Sequence, residues 1–80
     1  MILTVKLLTG KSFQVECDED DTIYDLKVNI QKINNWEADH QKIVIIDDKK
    51  GIQTTNSATL GSYYLHDGSL VYLLSHLCGG

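Results

Sequence analysis

The segment MILTVKLLTGKSFQVEC, residues 1–17, is the part of the sequence from which the fold follows most directly. Apolar side chains alternate along the run from Met1 to Leu7, and a period of two is typical of a strand with one buried face. The same alternation returns from Ser12 to Cys17. Gly10 lies in the short loop between the two runs and suits a left-handed residue that closes a hairpin. The segment therefore predicts an antiparallel hairpin.

One amphipathic helix is predicted after the hairpin. Thr22 fits the N-cap, because its hydroxyl can accept a hydrogen bond from an unpaired amide of the first turn. Asp25 stands three residues later, at the acidic position of a capping box. Asn34-Asn35 predicts the end of the helix, since Asn tolerates the left-handed C-cap conformation. Four apolar residues recur at helical spacing and predict one buried stripe: Ile23, Leu26, Ile30 and Ile33.

The second half of the chain predicts two further strands. Residues 42–46 are rich in β-branched side chains, and residues 69–74 alternate again. The polar stretch 47–59 predicts a long surface crossover with room for one short strand, and residues 60–65 predict a short helical turn. Together these elements predict an α+β domain over residues 1–74, with the helix on one face of the sheet. The aperiodic residues 75–80 predict a flexible tail.

Composition and charge exclude several classes of protein. The 80 residues carry a net charge of −4, without the clustered basic residues that a nucleic-acid partner requires. The two cysteines are too few for a disulfide framework. This favours a reducing compartment inside the cell, and we expect the chain in the cytoplasm and also in the nucleus. The longest apolar run, residues 70–74, is far shorter than the ~20 residues of a membrane span. His40, His66 and His76 lack metal-ligand spacing, so we predict neither a metal nor a cofactor.

Several short motifs resemble ubiquitin along the whole chain. The most specific are the turn Leu8-Thr9-Gly10-Lys11, the helix start Asp21-Thr22-Ile23 and the final Gly79-Gly80. Each motif alone is weak, but their order and combination are specific. The resemblance has no gaps up to about Ile46 and resumes at Thr59, after an insertion in the crossover. It implies the β-grasp (ubiquitin-like) fold, a mixed sheet of about four to five strands with one main helix.

The resemblance implies a protein modifier, with no catalytic residues of its own. In this family the C-terminal carboxylate, here that of Gly80, is adenylated, passed to partner enzymes as a thioester and joined to lysine amines of target proteins. Gly79 gives that end the freedom to enter a narrow channel. The implied partners are activating and conjugating enzymes, a deconjugating protease and target lysines, and we expect a monomer. Two alternatives stay open, namely a non-covalent interaction module and a sulfur carrier with a Gly80 thiocarboxylate.

An exposed apolar cluster is predicted on the sheet. If the core residues of the later strands face the helix, their neighbours face outward, and clusters of this kind are usually protein-interaction sites. The resemblance matches them to the family's principal hydrophobic patch, which ubiquitin-binding domains contact. We call these residues the apolar patch: Leu8, Val44, Tyr72 and Leu74. Lys6, Lys42 and His76 would form its basic rim. The alternative is that a second layer or a second copy of the chain covers this face.

The tail departs from the family pattern. The family has Arg where this chain has His76 and Cys78, and a neutral imidazole cannot make the bidentate, permanently charged contact of a guanidinium. We therefore expect His76, Leu77 and Cys78 to be read by a dedicated activating enzyme, unless the chain is not charged at all. Cys78 is either an ordinary exposed thiol or a trap for the activated Gly80 carbonyl.

Five lysines are candidate acceptors for chain formation. Three match acceptor positions of the family and two lie in the crossover, where the insertion blurs the match: Lys6, Lys11, Lys27, Lys49 and Lys50. The simpler interpretation is solvated surface charge. Trp36 has two interpretations, a second binding patch beside Leu8 or a half-buried side chain over the helix end. Cys17 is expected to be an inert buried thiol.

Overall fold

The computed structural model describes residues 1–47 and 49–75. Its strands are β1 (Ile2–Leu7), β2 (Ser12–Glu16), β3 (Gln41–Asp47), β4 (Lys50–Gln53) and β5 (Leu70–Ser75). The helix α1 spans Ile23–Asn34, and short 3₁₀ turns cover Ala38–His40 and Leu60–Tyr63. No helix in the described ranges is long and apolar enough to cross a membrane.

The strands form a single mixed sheet in the order β2-β1-β5-β3-β4. β1 and β5 are parallel, and the other neighbouring pairs are antiparallel. This arrangement confirms the predicted α+β, β-grasp fold. β4 lies within the predicted crossover, residues 47–59, and is the one short strand that we expected this stretch to accommodate. All four of its residues are exposed, so no apolar alternation marks it in the sequence.

The hairpin turn has the predicted geometry. Gly10 has a φ of +93°, a conformation that side chains with a Cβ rarely adopt. Its amide donates to the carbonyl of Leu7 at 3.0 Å, and the Leu7 amide donates to the carbonyl of Lys11 at 2.8 Å. The resulting register pairs Leu3 with Val15, so that the apolar residues of both strands share one face.

The helix begins with a complete capping box. The Asp25 amide donates to Thr22 Oγ1 at 3.1 Å, and the Thr22 amide donates to Asp25 Oδ2 at 3.0 Å. Asn35 closes the helix with a φ of +61°. Three residues of the predicted stripe are fully buried, but the prediction for Ile33 was wrong, since this side chain is 52% exposed. At about 100° per residue, Ile33 falls at the border of the stripe, and Lys27 on the other border is buried instead.

The core fills the space between α1 and the inner face of the sheet. Burial raises the pKa of the Cys17 thiol, which keeps it protonated and unreactive near neutral pH. Leu60 and Leu65 anchor the helical turn and the segment after it. The buried apolar cluster contains Leu3, Val5, Val15, Cys17, Ile23, Leu26, Ile30, Ile43, Ile45, Leu60, Leu65, Val71 and Leu73.

Candidate functional site

The outer face of the sheet carries three of the four residues of the apolar patch. Tyr72 lies opposite Lys6 on one side and Val44 on the other, and Leu74 lies opposite Lys42. Directly opposed residues project from the same face of a sheet. The intervening Leu73 is buried in the core, so Val44, Tyr72 and Leu74 project away from the helix. All three are half-buried by their neighbours.

Leu8 is the most exposed member of the patch. It follows β1 in the hairpin turn, and 81% of its surface is accessible. Leu7 pairs with Leu73, so the turn begins at the end of the sheet where Leu74 lies. The structure therefore places Leu8 at the border of the outer face and leaves its side chain free of the core.

Two residues that we did not predict extend the patch along the strands. Ile46 and Leu70 are 50% and 40% exposed, and each stands two positions from a patch residue, Val44 or Tyr72, on its own strand. Gly51 pairs with Ile46 and leaves room beside it, because a Cβ on Gly51 would lie 3.8 Å from Ile46 Cδ1. Continued alternation along β3 and β5 was the sequence signal that would have found both residues.

These residues form a continuous apolar surface two strands wide. We call it the outer strip: Val44, Ile46, Leu70, Tyr72 and Leu74. Contiguous exposed apolar surface of this kind, bordered by polar residues, marks protein-interaction sites.

Two lysines border the outer strip, Lys6 beside its middle and Lys42 at its Leu74 end. Lys6 is exposed opposite Tyr72, and Lys42 is half-buried opposite Leu74. The one carboxylate that the described registers place on this face is that of Glu16, opposite Ile2 at the far end of β1. The outer strip is therefore locally basic in a chain whose net charge is −4. His76, the third predicted rim residue, lies outside the described residues.

The candidate acceptor lysines differ in their surroundings. Lys6, Lys11, Lys49 and Lys50 are exposed, as an amine that attacks a bulky thioester must be. Lys27 is only 8% exposed, and its Nζ donates to Asn56 Oδ1 at 2.7 Å. Burial lowers the pKa of Lys27, while the nearby Asp39 carboxylate opposes that shift. Its amine would have to leave this contact before it could act as an acceptor.

Gln41, the first residue of β3, connects the sheet to the helix and to the segment that follows the helix. Its Nε2 donates to the carbonyls of Lys27 and Trp36, both at 2.9 Å, and the side chain is 2% exposed. Trp36 is half-buried and packs against the core cluster. This position agrees with the interpretation of Trp36 as a half-buried side chain over the helix end.

The predicted tail residues lie outside the described residues. Gly79 and Gly80 for conjugation, and His76, Leu77 and Cys78 for tail recognition, therefore stay predictions from the sequence. Within residues 1–47 and 49–75, no group of three or more His, Cys, Asp or Glu side chains is placed to hold a metal ion.

Comparison with known proteins identifies the family of this fold. The profile of the Ubiquitin family matches residues 3–78. The chain belongs to the ubiquitin family. This ubiquitin-family chain is 34% identical over 80 residues to the NEDD8-like protein RUB3 of Arabidopsis thaliana, covering 100% of the chain and 97% of that protein. It is 30% identical to the NEDD8-like protein RUB1 of Saccharomyces cerevisiae over 80 residues, covering 100% of the chain and 99% of RUB1. It is 28% identical to Ubiquitin-like protein 1 of Schizosaccharomyces pombe over 80 residues, with 100% and 97% covered.

Proposed function

We propose that this ubiquitin-family chain is a protein modifier that is joined through the carboxylate of Gly80 to lysine amines of target proteins. The observation that carries this proposal is the family match, which extends over residues 3–78 and so continues past β5 towards the paired glycines. Relatives named NEDD8-like and ubiquitin-like align over the full 80 residues. The exposed outer strip provides the surface that partner proteins of a modifier need.

The proposed chemistry requires no nucleophile from this chain. An activating enzyme attaches AMP from ATP to the Gly80 carboxylate and releases pyrophosphate. A partner cysteine thiolate then attacks the carbonyl and displaces AMP, which gives a thioester. A target lysine amine finally attacks the thioester and releases the thiolate, leaving an isopeptide bond. The chain supplies the acyl group and a recognition surface, and the catalysts are its partners in the cytoplasm and the nucleus.

The tail sequence supports a dedicated activating enzyme. His76 and Cys78 replace the arginines of the ubiquitin tail, and neither side chain offers the fixed fork of donors of a guanidinium. An enzyme that selects ubiquitin by such a contact would discriminate against this chain.

Non-covalent binding is the second candidate function. The observation that favours it is the outer strip itself, which exposes Ile46 and Leu70 in addition to the apolar patch. A binding module would use this surface alone and would not need a free Gly80 carboxylate. The two functions therefore differ in their dependence on the last residue of the tail.

Charging in cell extract distinguishes the two functions. Tagged wild-type chain and a variant without Gly80 are incubated with ATP in extract of the source cell. We expect a thiol-sensitive adduct with an activating enzyme and a thiol-resistant ladder for the wild type, and neither for the variant. Persistence of every adduct without Gly80 would refute the modifier proposal. Absence of both signals, in extract that conjugates ubiquitin, would favour the binding module.

A further inference from the structure

A small pocket lies on the helix side of the sheet, between α1 and the chain that follows β4. Its volume is about 340 Å³. Its walls include Lys27 of α1, Asp39 of the 3₁₀ turn before β3, Gln53 at the end of β4, and Asn56. Lys42 borders the pocket, but its side chain projects from the outer face. No residue of the apolar patch is among the described residues that line it, so the pocket is separate from that surface.

The ammonium group of Lys27 reaches this pocket without a countercharge. Lys27 is 8% exposed, and its Nζ donates to the neutral Asn56 Oδ1 at 2.7 Å. An ammonium group has three donors, so this contact leaves two of them free. Among the side chains that the structure describes, no carboxylate lies within 4.0 Å of Nζ, and Asp39 is therefore beyond that distance. Buried charges in proteins are normally paired, so Lys27 lacks the partner that its burial calls for.

Electrostatics agree with this geometry. Burial lowers the pKa of Lys27, although the Asp39 carboxylate opposes the shift. The direction of the net shift shows that Asp39 compensates only partly for the lost hydration of the ammonium group. A second negative charge in contact with Lys27 would complete the compensation.

Asp39 also determines which anion fits the pocket. Its carboxylate repels a dianion such as phosphate more strongly than it repels a monoanion. A carboxylate is a monoanion whose two oxygens accept hydrogen bonds, and such charge-assisted bonds to an ammonium group are stronger than neutral ones. Gln41 Oε1 also lacks a hydrogen-bond partner among the described residues, but this atom is buried in the wall, away from a ligand in the pocket.

We infer that this pocket binds a carboxylate group, whose oxygens accept hydrogen bonds from the two N–H groups of Lys27 that Asn56 leaves free. The bound carboxylate supplies the missing countercharge. A small organic acid and an acidic side chain of a partner protein present the same atoms, so either is a source of this group. Neither source requires the apolar patch or the tail, and the site is therefore independent of the surfaces described above.

The test is titration of the isotope-labelled, unconjugated chain with sodium acetate, followed by NMR at constant pH and ionic strength. We expect saturable shifts of the Lys27 side-chain signals and of the Asn56 amide group. The pKa of Lys27, measured from its Cε signal, should rise when acetate is bound, because a nearby negative charge favours the ammonium form. Phosphate, titrated in the same way, should bind more weakly than acetate.

Two matched variants test the contact with Lys27. Asn56→Asp and Gln53→Glu each convert an amide that lines the pocket into a carboxylate, but Asn56 is the one that accepts from Lys27. We expect Asn56→Asp to weaken acetate binding about tenfold, because the new carboxylate itself pairs with the ammonium group. Gln53→Glu should weaken it far less, by about twofold, through screened repulsion alone. Thermal melts verify that both variants are folded.

A second ligand distinguishes the two sources of the carboxylate. This ligand is glutamate whose main chain is blocked by an acetyl group and a methylamide group, so that its side chain carries the one carboxylate. Tighter binding than that of acetate would assign the site to an acidic side chain of a partner protein. Equal or weaker binding would assign it to a small organic acid. Both results support a carboxylate site.

Several outcomes would overturn the inference. These are shifts that grow with acetate concentration without saturating, an unchanged pKa of Lys27, and equal effects of Asn56→Asp and Gln53→Glu. Phosphate binding as tight as acetate binding would do so as well, since the pocket would then attract anions without selecting a carboxylate. Because the chain is not conjugated in these experiments, their failure is independent of the charging result.

Discussion

Replacing Leu73 or Leu74 with Ala is expected to separate folding from binding. The two residues are adjacent on β5, but Leu73 is 1% exposed in the core, whereas Leu74 is half-buried on the outer face. Removing a fully buried leucine side chain leaves a cavity and costs about 3 kcal/mol of unfolding free energy. A half-exposed leucine loses much less, below about 1 kcal/mol.

These free energies translate into clearly different melting temperatures. In a domain of this size 1 kcal/mol shifts Tm by about 4–8 °C, so Leu73→Ala should lower Tm by about 12–24 °C. Leu74→Ala should stay within about 8 °C of the wild type. Circular dichroism melts measure both values, and calorimetry with a ubiquitin-binding domain measures binding. We expect Leu74→Ala to weaken binding at nearly unchanged stability.

The opposite pattern would refute the strand register. A one-residue slip moves every side chain of a strand to the other face, so Leu74→Ala would then be the strongly destabilising variant. Ile43→Ala and Val44→Ala form a second matched pair on the neighbouring strand β3, with Ile43 1% exposed and Val44 on the outer face. In both pairs, the variant of the core residue should have the lower melting temperature.

Three further predictions concern the Lys27 amine and the capping box of the helix. Asn56→Asp should raise the unfolding free energy by about 1 kcal/mol in chemical denaturation, because a carboxylate replaces the neutral acceptor of the Lys27 amine; a destabilised variant would contradict this. Thr22→Ala should cost about 1 kcal/mol, because the capping box with Asp25 is lost, and an unchanged denaturation midpoint would contradict it. The pKa of Lys27 is lower in the folded state than its usual 10.5, so the unfolded state binds this proton more tightly. The stability of the wild type relative to Lys27→Met should therefore increase as pH rises towards that value, and a constant difference across alkaline pH would contradict the sign.

Local interactions made the first half of the fold predictable from sequence. The hairpin turn depends on the φ of Gly10, and the helix start depends on Thr22 and Asp25, which are three residues apart. Each of these signals is complete within a few residues. They could therefore be recognised without knowledge of the tertiary structure.

Features that depend on distant parts of the chain were not predictable. Lys27 is buried because it meets Asn56, which is 29 residues away in the crossover. Ile33 lies at the border of the helical stripe, so its burial depends on what packs beside that border, and the fold leaves it 52% exposed. β4 forms because its backbone pairs with β3, while its side chains stay in solvent.

The most direct test of the proposed modifier function is identification of the isopeptide bond. No Lys or Arg follows Lys50 in the chain, so trypsin would leave the long segment 51–80 on a modified lysine. Chymotrypsin cleavage after Leu77 would instead leave the short branch Cys78-Gly79-Gly80. Thiol-resistant adducts of the tagged chain are purified from source cells, digested and analysed by mass spectrometry. The account predicts that branch on lysines of target proteins. Purified adducts whose target lysines are all unmodified would contradict it.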